Sequence, residues 1–330
     1  ADTGLSATAR FGDVEHLEYT NDRGLWVTVY RGSRKGSAST SDITPAAVRE
    51  AVAKACSFAS HTAEDPYAGL ADADRMCTEP RDLDLDHPWA LDADAAIRLA
   101  IECESAGLST DKRLNNSEGA TVATNRGTRA YGNTHGFLGS YTKTSHSVTC
   151  VLLAGQDDEM QRDYHYTAAR DPLDLEAAEQ VGREAARRTL ARLGARKPKT
   201  AKGPVLFVPE LARGFLGHLI GAISGGAQYR RASFLLDAAG ETLFPAFVSI
   251  EERPHLPKGM ASAAYDAEGV ATFDRDIVRD GVLQGYVLGS YSARRLGLET
   301  TGNAGGTHNL IVPGNGGDLD ALRAEMGTGL

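Results

Sequence analysis

The sequence predicts an α+β fold in two domains, an N-terminal domain of mixed helix and sheet and a C-terminal, mainly antiparallel β domain that contains a buried glycine-rich helix. The chain has 330 residues, more than one typical domain. Helical and strand-like patterns alternate in its first two thirds, whereas short β-rich runs separated by turn residues dominate the rest. A basic stretch around Pro198 divides these regions, which predicts domains at 1–194 and 204–330 joined by a linker at 195–203.

The N-terminal domain is expected to open with strands. Residues 5–11, 14–19 and 25–30 are rich in β-forming side chains, and turn residues separate the second run from the third. Thr44 then provides an N-cap, and Pro45 occupies the first helical position. The apolar residues that follow have helical spacing, which predicts this inner face: Val48, Ala51, Val52, Ala55, Phe58 and Ala59.

A second helix and a set of hairpins are expected next. Asp92 or Asp94 would begin the helix, because either can cap its first turn. Its predicted inner face consists of Ile97, Ala100 and Ile101. Strand patterns return over residues 118–167, with turns predicted at 125–127 and 133–136 from their Asn and Gly residues.

A third helix is expected from about residue 172 to 193. Its acidic residues come early and its arginines late, which suits the helix dipole, and Gly194 would end it. Beyond the linker we expect a strand at 205–208 and the glycine-rich helix at 215–226. The remaining expectations are hairpin connections at 237–240, 266–269 and 280–281, and a last short helix capped by Asp318.

The glycine-rich helix is the most informative segment of the chain. Gly217, Gly221 and Gly225 recur at every fourth residue and therefore share one face. Each Gly in a helix interior costs up to about 1 kcal/mol relative to Ala, so we expect another backbone to pack against this face. His218 is expected to be a hydrogen-bonded structural histidine. The apolar run is too short for a membrane span, and Arg213 and His218 interrupt it.

Composition narrows the function further. The net charge of −9 argues against a nucleic-acid-binding surface, and the basic cluster at 196–202 is interpreted as a solvated linker. The four cysteines are scattered without a Cys-x-x-Cys pair, which predicts neither a zinc knuckle nor a disulfide framework. No signal-like or membrane-spanning segment is found, so we expect a cytoplasmic protein with no membrane partner.

Several kinds of chemical site can be compared with the sequence. The alternating residues Asp82, Asp84 and Asp86 suggest a calcium loop, but His87 stands where that loop needs Gly and Ala93 where it needs a bidentate Glu. The sequence has neither a Gly-x-Ser-x-Gly elbow nor a phosphate-binding loop.

Two further groups of side chains are candidates for a chemical site. His218, His255 and His308 could in principle assemble a metal site, although spacing alone cannot show that they converge. The adjacent residues Glu251 and Glu252 point to opposite faces of a strand, so we expect them to be solvated or ion-paired instead of forming a two-carboxylate site.

Motifs throughout the chain resemble the PmbA/TldE branch of the TldD/PmbA family, also known as modulators of DNA gyrase. The densest match runs from Gly214 to Gly306 and includes GFLGHLIGAISGG at 214–226. The other segments are 233–237, 250–252, 254–256, 266–270, 275–277, 280–283, 290–298, 301–309 and 325–330, with 35–39, 132–136 and 186–190 upstream. The resemblance thus covers nearly the whole chain.

The resemblance implies a vestigial zinc motif. In this family the TldD-type subunit carries a His-Glu-x-x-x-His motif, and its PmbA/TldE-type relative pairs with it. Here Gly217 and Ala222 occupy the two His positions and His218 the Glu position. We therefore expect no metal in this chain, and zinc in the partner subunit. The substrate-binding residues stay open, and both ends of the chain are expected to be truncated relative to the family.

The function that the resemblance implies is a subunit of a heterodimeric zinc metallopeptidase that degrades or processes unfolded or leader peptides. The TldD-type paralogue would supply the zinc-activated water, and this chain would contribute peptide binding and support. Two alternatives remain open. The chain could be an active homodimeric metallopeptidase with atypical ligands, or a non-enzymatic peptide-binding adaptor.

Overall fold

The computed structural model describes residues 1–314 and 316–330. Its strands are β1 (Asp2–Arg10), β2 (Asp13–Asp22), β3 (Leu25–Arg31), β4 (Arg34–Thr40), β5 (Leu114–Gly132), β6 (Leu138–Ala154), β7 (Gln161–Ala169), β8 (Ile250–Arg253), β9 (Arg275–Arg279), β10 (Val282–Leu283) and β11 (Asn309–Ile311). Its α-helices are α1 (Pro45–His61), α2 (Ala93–Leu108), α3 (Ala178–Ala191), α4 (Pro209–Ile223), α5 (Gly225–Tyr229), α6 (Ser290–Leu296) and α7 (Leu319–Met326). The combination of helices with antiparallel sheets confirms the α+β class.

A five-stranded antiparallel sheet in the order β2-β1-β5-β6-β7 forms the centre of the N-terminal region. The long hairpin of β5 and β6 turns at residues 133–136 as expected, where the Gly136 N–H donates to the Asn133 C=O. The turn expected at 125–127 is wrong, because these residues lie inside β5 and pair with both β1 and β6. Ladder pairing on two sides outweighs the local turn preference of Asn and Gly.

Helices α2 and α3 pack together over the large sheet and bury its main apolar core. Asp92 is the N-cap of α2 and accepts the Ala95 N–H at 2.7 Å, which confirms the first of the two expected starts. The third helix begins later than expected, because a short 3₁₀ turn (Pro172–Asp174) precedes α3. Gly182 allows the two helices to approach closely, since a Cβ there would meet the Cys103 carbonyl.

The hairpin of β3 and β4 packs against α1 and forms a small separate lobe. Thr44 caps α1 by accepting the Ala47 N–H, as expected. Ala51, Ala55 and Ala59 are the buried residues of this helix. The expected inner face was too wide, because Val52 and Phe58 are exposed; only the alanine stripe can lie this close to the backbone of β4.

The C-terminal region contains a small antiparallel sheet in the order β10-β9-β8-β11. The expected hairpin at Asp280 and Gly281 is confirmed, since both residues have positive φ angles (50° and 80°) between β9 and β10. Asp318 caps α7 by accepting the Ala321 N–H at 2.8 Å, also as expected. The strand expected at 205–208 does not form, although the Leu206 N–H donates to the Leu330 C=O at 2.7 Å. Helix α6 was not predicted from the sequence.

Polar contacts join the two regions. Arg170 donates to the Thr144 C=O at 2.6 Å and to the Met260 C=O at 2.5 Å, so one guanidinium connects the large sheet to the C-terminal region. Lys258 Nζ lies 2.7 Å from the Asp171 carboxylate and supports the same junction. The domain limits and the linker at 195–203 stay predictions. In the described part of the chain, no helix combines the length and the apolarity needed to cross a membrane.

Candidate functional site: helix α4 and its apolar groove

Helix α4 begins at Pro209, which suits the first helical position because its missing N–H needs no partner there. Its buried residues are Leu219, Ala222 and Ile223, and Leu219 and Ile223 pack in the core of the C-terminal sheet. The helix ends at Ser224, whose ψ of 140° breaks the helical path and whose hydroxyl caps α5 by accepting the Ala227 N–H. The expected single helix at 215–226 is therefore two helices separated by Ser224.

The glycine face of α4 is open, contrary to expectation. Apart from its chain neighbours and the backbone of its own helix, a Cβ placed on Gly214, Gly217 or Gly221 would have no atom of the described residues within 4 Å. Gly225 differs, because a Cβ there would collide with Ser292 of α6. The prediction of a buried helix is thus wrong for this face. The spacing of the glycines indicates close approach of another backbone, but it does not indicate whether that backbone belongs to the same chain.

The three positions of the vestigial zinc motif lie along the end of α4. Gly217 and His218 are exposed, whereas Ala222 is only 7% exposed. All three border a shallow depression of about 440 Å³, which Ala232, Ser233 and Phe234 complete. The prediction of a hydrogen-bonded structural histidine is wrong, because His218 reaches no hydrogen-bond partner among residues 1–314 and 316–330.

The three motif positions do not provide the ligands that a metal ion needs. Gly217 and Ala222 have no donor side chain, and a catalytic zinc requires three protein ligands. His218 does not converge with the other two histidines considered from the sequence: His255 is bonded to Thr272 through Nε2, and His308 to Glu252 through Nδ1. Within the described ranges no three His, Cys, Asp or Glu residues are grouped so that they could hold a metal ion. The residues present do not fit a zinc site.

An apolar groove of about 720 Å³ runs beside the glycine face. Arg213 and His218 are its charged or titratable lining residues. The apolar lining comes from α4 and from the segments that face it: Leu216, Leu219, Phe234, Leu235, Leu243, Phe244, Val248, Ile250 and Val312. Phe215 and Phe234 are 53% and 80% exposed, so large aromatic rings remain in contact with water. Exposed apolar surface of this extent is typical of an interaction site.

A buried polar network supports the sheet behind this groove. Glu252 is 1% exposed, and its carboxylate accepts hydrogen bonds from Arg275 Nε (2.8 Å), Asn303 Nδ2 (2.7 Å) and the His308 N–H (2.8 Å). Burial alone would raise the pKa of Glu252, but the bonds from His308 and the charge of Arg275 lower it to about 2. The ion-pair expectation for Glu252 is confirmed, and the network keeps the carboxylate ionised.

Glu251, the neighbouring residue, pairs with Arg253 at 2.7 Å on a more accessible part of the surface. The two carboxylates therefore have separate cationic partners, as their opposite directions along a strand require. Sequence reasoning missed the convergence of Asn303 and His308 on Glu252. The partners lie more than 50 residues away along the chain, so no local pattern could reveal them.

Matches to known proteins extend over almost the whole chain. Models of the PmbA/TldA metallopeptidase domain 1, central domain and C-terminal domain match residues 2–59, 86–193 and 200–330. "Metalloprotease PmbA" of Escherichia coli O157:H7 is 47% identical over 328 residues, which are 99% of this chain and 73% of that protein. "Metalloprotease PmbA homolog" of Haemophilus influenzae is 44% identical over 329 residues, with the same shares of 99% and 73%.

Solved structures agree with this comparison. A protein from Bacteroides thetaiotaomicron described as a modulator of DNA gyrase superposes with a TM-score of 0.92 at 25% identity, over 98% of this chain and 74% of that one. TldE from Thermococcus kodakarensis has the same fold, with a TM-score of 0.79 at 17% identity over 98% and 75% of the two chains.

The fold and these matches define a chain built from metallopeptidase domains. It belongs to the PmbA/TldD metallopeptidase family, as its resemblance to the PmbA/TldE branch predicted.

Proposed function

We propose that this chain is the zinc-free, PmbA/TldE-type subunit of a heterodimeric metallopeptidase, paired with a TldD-type paralogue. The observation that supports this most is the combination on α4 of an open glycine face with motif positions that lack donors. Glycines on an open helix face lower the stability of the helix, and no contact within this chain compensates for that loss. A partner backbone packed there would account for them.

The apolar groove supplies the other half of the proposed interface. Phe234 lines both the groove and the depression that Gly217 borders, so a partner that covers Gly217 would also cover Phe234. Buried aromatic residues at the centre of an interface commonly carry much of its binding energy. Relatives named TldD homolog exist, for example in Haemophilus influenzae, at 27% identity over 122 residues. A TldD-type chain is therefore the partner we propose.

In this proposal the partner holds the zinc, which would activate a water for attack on a peptide carbonyl. The motif positions of this chain take no part in that step, because they provide no set of metal ligands. Its contribution is to complete the chamber and to bind unfolded or leader peptides. We place the complex in the cytoplasm and assign it no nucleic-acid or membrane partner, in keeping with the net charge of −9.

Co-expression with the TldD-type paralogue of the same organism tests the proposal. We expect recovery of the two chains at equal stoichiometry, with zinc in the paralogue and peptidase activity only in the pair. Phe234→Glu should abolish pairing, because a carboxylate would be buried against apolar surface. Leu173→Glu is the matched control, since Leu173 is 89% exposed and lies outside the groove.

The alternatives give different results. Tight stoichiometric zinc and peptidase activity of the purified chain alone would establish the homodimeric enzyme. Binding of unfolded peptides without hydrolysis, even after addition of the paralogue, would establish the adaptor. Either outcome would contradict the proposed division of labour.

A further inference from the structure

Strand β6 extends well beyond the strand that pairs with its outer side. Its pairing with β7 begins at His146, opposite Ala169, and continues to Ala154. Residues 138–145 of β6 therefore pair with β5 on one side, and no strand of the described ranges pairs with them on the other. Such an open edge can accept another extended backbone.

The orientation of the backbone at this edge follows from Thr144. Its N–H donates to the Leu85 C=O at 2.9 Å and its C=O accepts from Arg170 at 2.6 Å, so both groups point away from β5. Because N–H and C=O directions alternate along a strand, Ser140 and Thr142 present theirs to the same side. Thr128, the residue of β5 opposite Thr142, supports this orientation. Its N–H and C=O both bond to Ala1 on the far side of β5, so they make no ladder bond to Thr142.

These backbone groups are unused within the chain. Neither the N–H nor the C=O of Ser140 and Thr142 is engaged in a hydrogen bond to any residue of the described ranges. Together they form two successive positions of a β-ladder that lacks its second strand. The spacing between them is about 6.8 Å, the repeat of an extended polypeptide.

A cleft of about 430 Å³ lies directly along this edge. Residues 80–86 form its opposite wall, and residues 263–265 complete it. Tyr265 is 4% exposed, and its ring is fixed edge-on against Phe137 and Tyr141, with centroids 5.0 and 5.7 Å away. Its hydroxyl is fully buried and has no hydrogen-bond partner among the described residues, so this side chain forms a closed wall of the cleft.

We propose that this cleft binds an extended peptide segment as an added strand on β6, through the backbone of Ser140 and Thr142. This inference rests on the peptide-binding role proposed above and gives it a location away from α4. Two features point to this occupant: an unpaired ladder, which only another polypeptide backbone can complete, and a cleft along that ladder with room for one.

The charged residues of the cleft lining are mainly acidic. They are Arg81 and three aspartates, Asp82, Asp84 and Asp86, of which Asp86 pairs with Arg126 at 2.6 Å. Acidic peptides are therefore disfavoured. Recognition through the main chain is otherwise tolerant of side-chain sequence, so an unfolded segment without acidic side chains is the ligand class that fits best.

Fluorescence anisotropy with a labelled ten-residue unfolded peptide tests the proposal on the full chain. Ser140→Pro removes only the outward N–H and should weaken binding by at least about tenfold, since edge strands tolerate Pro. Ser140→Ala keeps that N–H and should bind within about twofold of the parent chain. The same peptide with alternate main-chain amides N-methylated should fail to bind.

The N-methylated peptide gives a second readout on the parent chain, so the test does not depend on the proline variant folding. Loss of its main-chain donors should remove the ladder bonds, because strand addition uses the peptide N–H groups. Unchanged peptide affinity in Ser140→Pro, or equal binding of the N-methylated and unmodified peptides, would overturn the proposal.

Pairing with the TldD-type paralogue is measured on the same variants by size-exclusion chromatography. We expect pairing to persist while peptide binding falls. If the unmodified chain did not pair with the paralogue, the heterodimer would be refuted. The anisotropy results would still decide whether the cleft binds peptide.

Discussion

Glu252 Oε2 and Arg275 Nε lie 2.8 Å apart at a position where the Glu252 side chain is 2% exposed and that of Arg275 is 13% exposed. The pair joins adjacent strands, β8 and β9, while Asn303 and the backbone of His308 satisfy the other carboxylate oxygen. A buried ion pair stabilises only when its remaining hydrogen-bond groups are satisfied. That condition holds here for the carboxylate, so the network fixes the loop at 303–308 against the sheet.

Replacement of Glu252 by Ala should destabilise the chain strongly. Removal of the carboxylate would leave the Arg275 guanidinium buried without its counter-charge, a situation that costs about 3–5 kcal/mol. Chemical denaturation of the two chains would measure the difference. Glu251→Ala is the matched control, because its carboxylate is more accessible, and should change the free energy of unfolding by no more than about 1 kcal/mol. Equal effects at both positions would contradict the network.

The same carboxylate predicts a loss of stability in acid. The pKa of Glu252 is about 2 in the folded chain and about 4.3 when unfolded. The depressed value means that its contribution is present above about pH 4.3 and is lost as the pH falls towards 2; it amounts to on the order of 3 kcal/mol. Unfolding between pH 5 and pH 2.5 should therefore show a steeper pH dependence in the parent chain than in Glu252→Gln.

Asp266 should affect the pH dependence of stability in the opposite direction to Glu252. Burial raises its pKa to about 6, although the N–H groups of Ala304, Glu268 and Val270 donate to it and lower the pKa. A folded pKa above the unfolded value of about 3.9 means that its contribution is full at low pH and is lost as the pH rises through 6. Carboxyl carbon NMR should show this titration, and a midpoint below 4 would contradict the prediction.

Gly217→Ala and Gly221→Ala should have opposite effects on the isolated chain and on its pairing. Open space surrounds both positions, so Ala should stabilise the isolated chain by up to about 1 kcal/mol each through its helix propensity. If the glycine face docks the TldD-type paralogue, the added methyl groups should weaken pairing. Thermal unfolding and co-purification measure the two effects. Stabilisation with undiminished pairing would exclude this face from the interface.

Gly225→Ala is a suitable contrast within the same region. A methyl group there would collide with Ser292, so it should destabilise by about 1–3 kcal/mol through overpacking. Gly182→Ala should behave similarly, because its Cβ would meet the Cys103 carbonyl at the crossing of α2 and α3. If thermal unfolding showed these variants to be as stable as Gly217→Ala, the distinction between open and packed glycines would be wrong.

The sequence alone determined the features that depend on neighbouring residues. Caps at Thr44, Asp92 and Asp318 were predicted correctly, because a capping side chain acts on amides two or three positions away. The turn at Asp280 and Gly281 was predicted for the same reason. Family membership also followed from the sequence, since the motifs are contiguous strings of residues.

Tertiary structure decided everything that depends on residues far apart in the chain. It placed 125–127 within β5, gathered Asn303 and His308 around Glu252, and left the glycine face of α4 open. A periodic pattern reports which residues share a face, because backbone geometry fixes that periodicity. It does not report what covers the face, since that depends on long-range packing and, for α4, on the partner that we propose.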